Sequence, residues 1–281
     1  MNFITHWLKV HFILAIVKQL TFWLSIILVY CLVVYGIERY FEIRTGEMGG
    51  ELALIQTIIL SLLMSFRNRS AYERWWEGRK LWGQLVNDSR NLAIKLKAYV
   101  PRDVLEQSGI KNLLVAFPIV LKRHLRGDSG TLNDLPGLES EATTPAHLPI
   151  YVACRIVAKV TEFERAGHIK EMMFRNLDVH LNGMMDVCGA CERIANTPFP
   201  FSYKAMLRTG LVLHFILAPW FTLSHMELSG IPVLLLVCLF LLGMELIDSH
   251  IEEPFGHDED DLDLERYAET IGTNVKAILA N

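Results

Sequence analysis

Apolar residues fall into four blocks along the chain, and the blocks predict helices. The longest uninterrupted run, Leu20 to Ile37, is long enough to cross a hydrocarbon core of about 30 Å. A shorter run, Ala53 to Phe66, carries Gln56, Thr57, Ser61 and Ser65, polar groups that are costly against lipid. That predicts a helix facing other helices or a water-filled path. Two further runs, Met206 to Leu223 and Ile231 to Ile247, flank a short loop with His225, Glu227, Ser229 and Gly230, and read as a helical hairpin.

Between Arg67 and Pro200 polarity is mixed, with no strand alternation and no hairpin signal, so the region reads as helical. No proline interrupts Ala53 to Val100, which allows one helix of about 70 Å at 1.5 Å per residue. Pro101, Gly109, Pro118 and the stretch Gly127 to Pro149 mark loops or short helices. A second long helix is expected over Ala153 to Asn196, ending before Thr197, Pro198, Phe199 and Pro200. The expected fold class is all-α: four membrane helices with a helical cytosolic region. Its segments are 1–66, 67–203, 204–247 and an acidic tail, 248–281.

Composition agrees with the pattern. A chain of 281 residues that is 52% hydrophobic and 21% charged, with mean hydropathy +0.29, is too apolar for an ordinary soluble domain. Five scattered cysteines suit a reduced compartment rather than a disulfide framework. Gly36, Ile37, Glu38 and Arg39 offer no signal-peptidase site. The segment after Phe66 holds Arg67, Arg69, Arg74, Arg79 and Lys80, whereas the loop from Glu38 to Glu51 mixes Arg39 and Arg44 with glutamates. By the positive-inside bias, the middle region and both termini are cytoplasmic.

The candidate chemistry is sparse. No phosphate-binding loop, dinucleotide fingerprint, Gly-x-Ser-x-Gly or His-Glu-x-x-His is present, so an enzyme has no positive support. Cys188 and Cys191 form a lone Cys-x-x-Cys inside an expected helix, without a second pair at zinc-ribbon spacing, and predict structural thiols and no metal. Ile58, Leu62 and Phe66, spaced four apart, share a helix face; such a stripe is core or lipid contact in one reading and a dewetting pore constriction in another. Tyr72 to Trp82 is rich in tryptophan and arginine, as membrane-surface anchors and subunit interfaces both are. The acidic run of Glu253, Asp258, Glu259, Asp260, Asp261 and Asp263 around Pro254, Phe255 and Gly256 is a solvated face or a cation site, and is not an EF-hand.

The run Ser65 to Glu77 (Ser-Phe-Arg-Asn-Arg-Ser-Ala-Tyr-Glu-Arg-Trp-Trp-Glu) resembles the bestrophin family in its bacterial branch. So do Glu253-Pro254-Phe255-Gly256 with the acids after it, and the approach to the third span from Cys191 to Phe201. The resemblance covers essentially the whole chain. It implies a homopentameric ion channel with four membrane helices per subunit and a pore neck at Ile58, Leu62 and Phe66. It also implies a second, cytosolic constriction, placed at Leu177. Asp258 and Asp261 match carboxylates of the calcium clasp of the animal branch. Glu253 and His250 depart from it, where that branch has asparagine and glutamine, so weak or no calcium dependence is expected and no cofactor is required. The acidic tail leans towards monovalent cations such as Na+, in an inner membrane. An anion channel of the same fold and a non-conducting membrane scaffold are the alternatives.

Overall fold

The structure, a computed structural model, describes residues 3–42, 47–128, 135, 138 and 145–280; side chains are described from residue 16 onward, except at 47–50 and 52–53. Arg44 and most of the expected Gly127 to Pro149 loop lie outside the described residues. Among those residues there are helices and no strands. In chain order they are α1 (Phe3–Phe41), α2 (Glu47–Tyr99), α3 (Arg102–Gln107), α4 (Ile110–Arg126), α5 (Leu148–Arg165), α6 (Glu171–Asn196), α7 (Phe201–Met226), a 3-10 turn (Glu227–Ser229), α8 (Gly230–Ile251) and α9 (Leu264–Ala280).

The chain divides into two compact units, Met1–Glu73 with Phe199–Glu252, and Arg74–Pro198 with Glu253–Asn281. In the first, α1, α7 and α8 pack on one another around Cys31, Val34, Ala218, Leu234 and Cys238. A second cluster joins Leu60 and Met64 of α2 to Leu207, Leu211 and Leu241. Two stretches, Ile16–Phe41 and Phe201–Ile251, are helical, long enough and apolar enough to cross a membrane. Many of their large apolar residues are exposed, including Phe22, Val29, Val33, Leu236 and Phe240. Contiguous apolar surface of that kind marks a face that meets lipid or another subunit. The four apolar blocks of the sequence lie within α1, α2, α7 and α8 respectively.

In the second unit α4 packs on α5 and α9, and α5 on α6. Trp82, Leu92, Leu114, Phe117, Ile156, Val187 and Val275 are buried at its centre. The long α2 matches the proline-free stretch. Three details depart from the sequence reading. The expected helix Ala153 to Asn196 is two helices, because Gly167 takes a left-handed φ of +78° that ends α5, where glycine carries no Cβ penalty. Pro118 lies inside α4 rather than at a boundary, on a helix whose central residues Leu113–Leu121 are almost all buried, so packing offsets the backbone bond that proline cannot donate. The acidic tail carries α9, whose Leu264, Ala268, Ile271, Val275 and Leu279 face the core at helical spacing.

Candidate functional site

The first portion of α2 has two unlike faces. Leu60, Met64, Arg67 and Ala71 are buried, at spacings of four, three and four that keep them on one side. Ile58, Leu62 and Phe66 are 66%, 56% and 57% exposed. At about 100° per residue these three fall within about 80° of one another, and their centre lies about 170° from that of the buried face. Ser61 and Ser65, also exposed, flank the stripe. The subunit therefore presents three bulky apolar side chains beside two hydroxyls, and its own core uses none of them.

The opposite face is fixed by charge. Arg67, 2% exposed, pairs with Glu245 and lies 3.7 Å from Glu252. Glu245 also meets Arg208 at 3.0 Å, and Glu252 meets Lys204 at 2.6 Å and accepts from the Phe199 N–H at 3.3 Å. Asp248, on the same turns of α8, is fully buried, and neither of its oxygens has a hydrogen-bond partner. Three basic and three acidic side chains from α2, α7 and the end of α8 thus lock the register of α2 in the first unit. A buried guanidinium suits this task because its planar fork serves two carboxylates at once.

In the second unit, Arg74 donates to the carbonyl of Ile194 at 2.7 Å, supplying a cation to the carboxyl end of α6. Trp75 donates its indole N–H to the Asp260 carbonyl at 2.9 Å, and the Arg79 guanidinium stands 4.9 Å from the centre of the Trp76 ring. The Trp-Arg motif therefore spends much of its bonding capacity inside the unit. Gly78 packs closely there: a Cβ would stand 3.0 Å from the Phe255 side chain and 3.1 Å from that of Leu262.

Leu177, the expected cytosolic constriction, lies inside the subunit. Leu177 has 0% exposure and packs in the helical core, whereas Val179, two residues on and 65% exposed, presents its side chain outward from α6. A side chain enclosed by its own subunit is unavailable to constrict a shared pore. The signal in the sequence was helical phase: Leu177, Leu181, Met184 and Cys188 recur at core spacing, and Val179 lies off that face.

The acidic segment folds into a tight turn. Asp258 donates its backbone N–H to Asp261 Oδ2 at 2.7 Å, Asp261 returns its own N–H to the Asp258 carbonyl at 3.1 Å, and Leu262 donates to the Pro254 carbonyl at 2.9 Å. A Cβ on Gly256 would stand 2.7 Å from Asp261 Oδ2. Burial pushes the Asp261 carboxyl up to about 7, with the charges of Asp258 and Glu253 adding to the rise, against the Asp258 backbone bond and Arg126. Its Oδ1 is buried without a partner. Asp258 and Asp261 are thus brought together, while the Glu253 side chain is exposed. Calcium takes six to eight oxygens. One buried orphan oxygen among exposed acids falls short of that set within the described residues, so the segment alone does not fit calcium.

Cys188 and Cys191 are buried thiols on α6, and burial pushes both up, Cys191 to about 12. Beside them, Glu192 Oε1 lies 2.8 Å from His124 Nε2 and 2.7 Å from His147 Nε2. These residues come from the end of α4, the residue capping α5, and α6, too far apart in the chain for spacing to disclose.

An outward apolar stripe on α2, a buried arginine behind it and a Pro-Phe-Gly-acid turn can be set beside known proteins. The chain is 34% identical over 235 residues to a voltage-dependent anion channel-forming protein of Nostoc sp., covering 79% of this chain and 75% of that one. It is 33% identical over 241 residues to a protein of the same description from Synechocystis sp., covering 81% and 76%. Among solved structures, it superposes on a point variant of a bacterial bestrophin homologue from Klebsiella pneumoniae, with TM-score 0.86, 23% identity, and coverage of 94% of this chain and 100% of that one. The family model described as Bacterial/Fungal Bestrophin protein matches residues 3–277, nearly the whole of the chain, and the chain belongs to the bestrophin family.

Proposed function

We propose that this protein is the subunit of a bestrophin-type ion channel: a homopentamer in a cell inner membrane, with α1, the start of α2, α7 and α8 as its four spans and both termini in the cytoplasm. Passive flow of monovalent ions passes a neck built from Ile58, Leu62 and Phe66 of each copy. The observation that carries this reading is the exposed stripe itself, flanked by Ser61 and Ser65 and diametrically opposite the face that α2 buries. A ring of such side chains gates by dewetting, since water and ions leave a narrow apolar constriction. Val179, rather than Leu177, forms the second constriction. The named relatives are channels and not enzymes, and calcium is not the opening stimulus.

An apolar neck carries no charge to select the ion. The exposed carboxylates Glu253, Asp258, Glu259 and Asp260 favour cations such as Na+ at the cytoplasmic side. Anion conduction is the second reading, favoured by the relatives' description as anion channel-forming proteins. Purified protein reconstituted in liposomes with NaCl and choline chloride gradients decides between them. Flux that follows sodium supports the cation reading, flux that follows chloride supports the anion reading, and liposomes as tight as empty ones would leave a membrane scaffold.

A further inference from the structure

We infer that His124, His147 and Glu192, with Cys188 as a fourth donor, form a binding site for a borderline transition-metal dication, zinc foremost. The site lies wholly in the second unit and is independent of the channel reading. The ligand atoms of the first three residues all lie within 4.8 Å of one another. Cys188, one turn before Glu192 on α6, brings its Sγ to 3.5 Å from the same Glu192 Oε1. The two imidazole rings stand 4.4 Å apart between centroids, tilted by 40°.

Hydrogen-bond capacity favours an ion in this place. A carboxylate oxygen offers about two lone pairs, yet three donors converge on Glu192 Oε1: two imidazole nitrogens and a thiol. One donor is left with a poor acceptor. A dication set among the four groups gives each an inner partner instead. Tetrahedral zinc, with bonds of about 2.0–2.3 Å, holds its nitrogen and oxygen ligands about 3.3 Å apart. The present 2.7 and 2.8 Å separations therefore open by about half an ångström on binding. Imidazole and thiol donors suit zinc and its neighbours in the first transition row, whereas calcium and magnesium require oxygen throughout.

Binding has a local consequence. His147 caps α5, its Nδ1 accepting from the Ile150 N–H at a long 3.3 Å, which leaves the proton on Nε2. Metal on Nε2 moves that proton to Nδ1 and gives up the weak cap. Cys188 releases one proton on ligation. The metal then ties the end of α4, the start of α5 and α6 together, a closed structural site rather than a catalytic one.

The test uses full-length protein, purified in detergent, stripped with chelator and re-equilibrated with zinc alone. A Cys154→Ser background removes an exposed thiol that would bind zinc adventitiously. About one zinc per chain is expected by elemental analysis, with affinity at least about tenfold weaker in His124→Ala, His147→Gln and Glu192→Gln. Zinc should raise the melting temperature of the parent and leave that of His147→Gln unchanged; the glutamine variants keep side-chain volume in case His124→Ala fails to fold. Cobalt substitution should give a thiolate charge-transfer band that Cys188→Ser abolishes. A parent protein that retains no zinc, or variants that bind it as tightly as the parent, would overturn the inference.

Discussion

Replacing Arg67 by methionine removes the cation at the centre of the first unit's charge cluster while keeping an unbranched side chain of similar length. Before the change three bases face three acids; afterwards Lys204 and Arg208 face Glu245, Asp248 and Glu252. Breaking a buried pair by deleting one partner costs about 3–5 kcal/mol, because the surviving charge stays buried. Here Glu252 keeps Lys204 at 2.6 Å and Glu245 keeps the largely exposed Arg208 at 3.0 Å, so the loss belongs at the lower end, about 3 kcal/mol. Arg67→Lys, which retains charge but cannot serve two carboxylates in a fork, should lose about 1 kcal/mol. Denaturant unfolding in detergent, followed by circular dichroism, measures both. Pairing Arg67→Met with Glu245→Gln should restore part of the loss, as residues in direct contact couple non-additively. A loss below about 1 kcal/mol for Arg67→Met, additive with that of Glu245→Gln, would refute the reasoning and show a solvated, energetically slack cluster.

Leu177 and Val179 separate packing from conduction. Leu177→Ala should cost about 2–5 kcal/mol of stability as a core truncation, while Val179→Thr should leave stability within about 0.5 kcal/mol and alter ion flux in liposomes; the reverse pattern would restore Leu177 as the constriction. Asp261 sets a pH dependence. Its folded value of about 7 lies above the ordinary carboxyl value, so the folded state holds the proton more tightly. That group's contribution is fully present below about pH 4 and is lost as pH rises towards 7. Asp261→Asn should therefore flatten the fall in melting temperature between about pH 5 and pH 8, and an unchanged slope would contradict this. Flux should be the same in chelator and in micromolar free calcium, since the acidic turn falls short of a calcium ligand set.

What the sequence discloses depends on how local the signal is. The length of α2 was legible because a proline-free stretch with sustained helical pattern needs no distant partner to define it. The stripe of Ile58, Leu62 and Phe66 was legible as a face, but its exposure was not: a four-residue spacing is the same whether a face packs inward or outward, and only Leu60 and Met64 packing on α7 and α8 fixes the phase. The break at Gly167 is not legible in the sequence, because a single glycine inside an apolar pattern is tolerated in helices and its positive φ is a tertiary choice. Leu177 lies on the core face of α6 and Val179, two positions on, is turned to the far side, a phase that tertiary packing fixes. Neither the Arg67 cluster nor the His124, His147 and Glu192 convergence could be read from spacing, since each joins helices far apart in the chain.

The outward face of α2 is proposed to be the conduction barrier. Single-channel recording in planar bilayers, comparing the parent with Ile58→Ala/Leu62→Ala/Phe66→Ala, tests it most directly. The triple variant removes bulk from every copy of the neck without touching the buried face of the helix, so it should assemble as the parent does. A rise in open probability or conductance of at least about threefold is expected for a dewetting barrier. Identical currents from parent and variant, with matched incorporation, would contradict the account and place the barrier elsewhere in the protein.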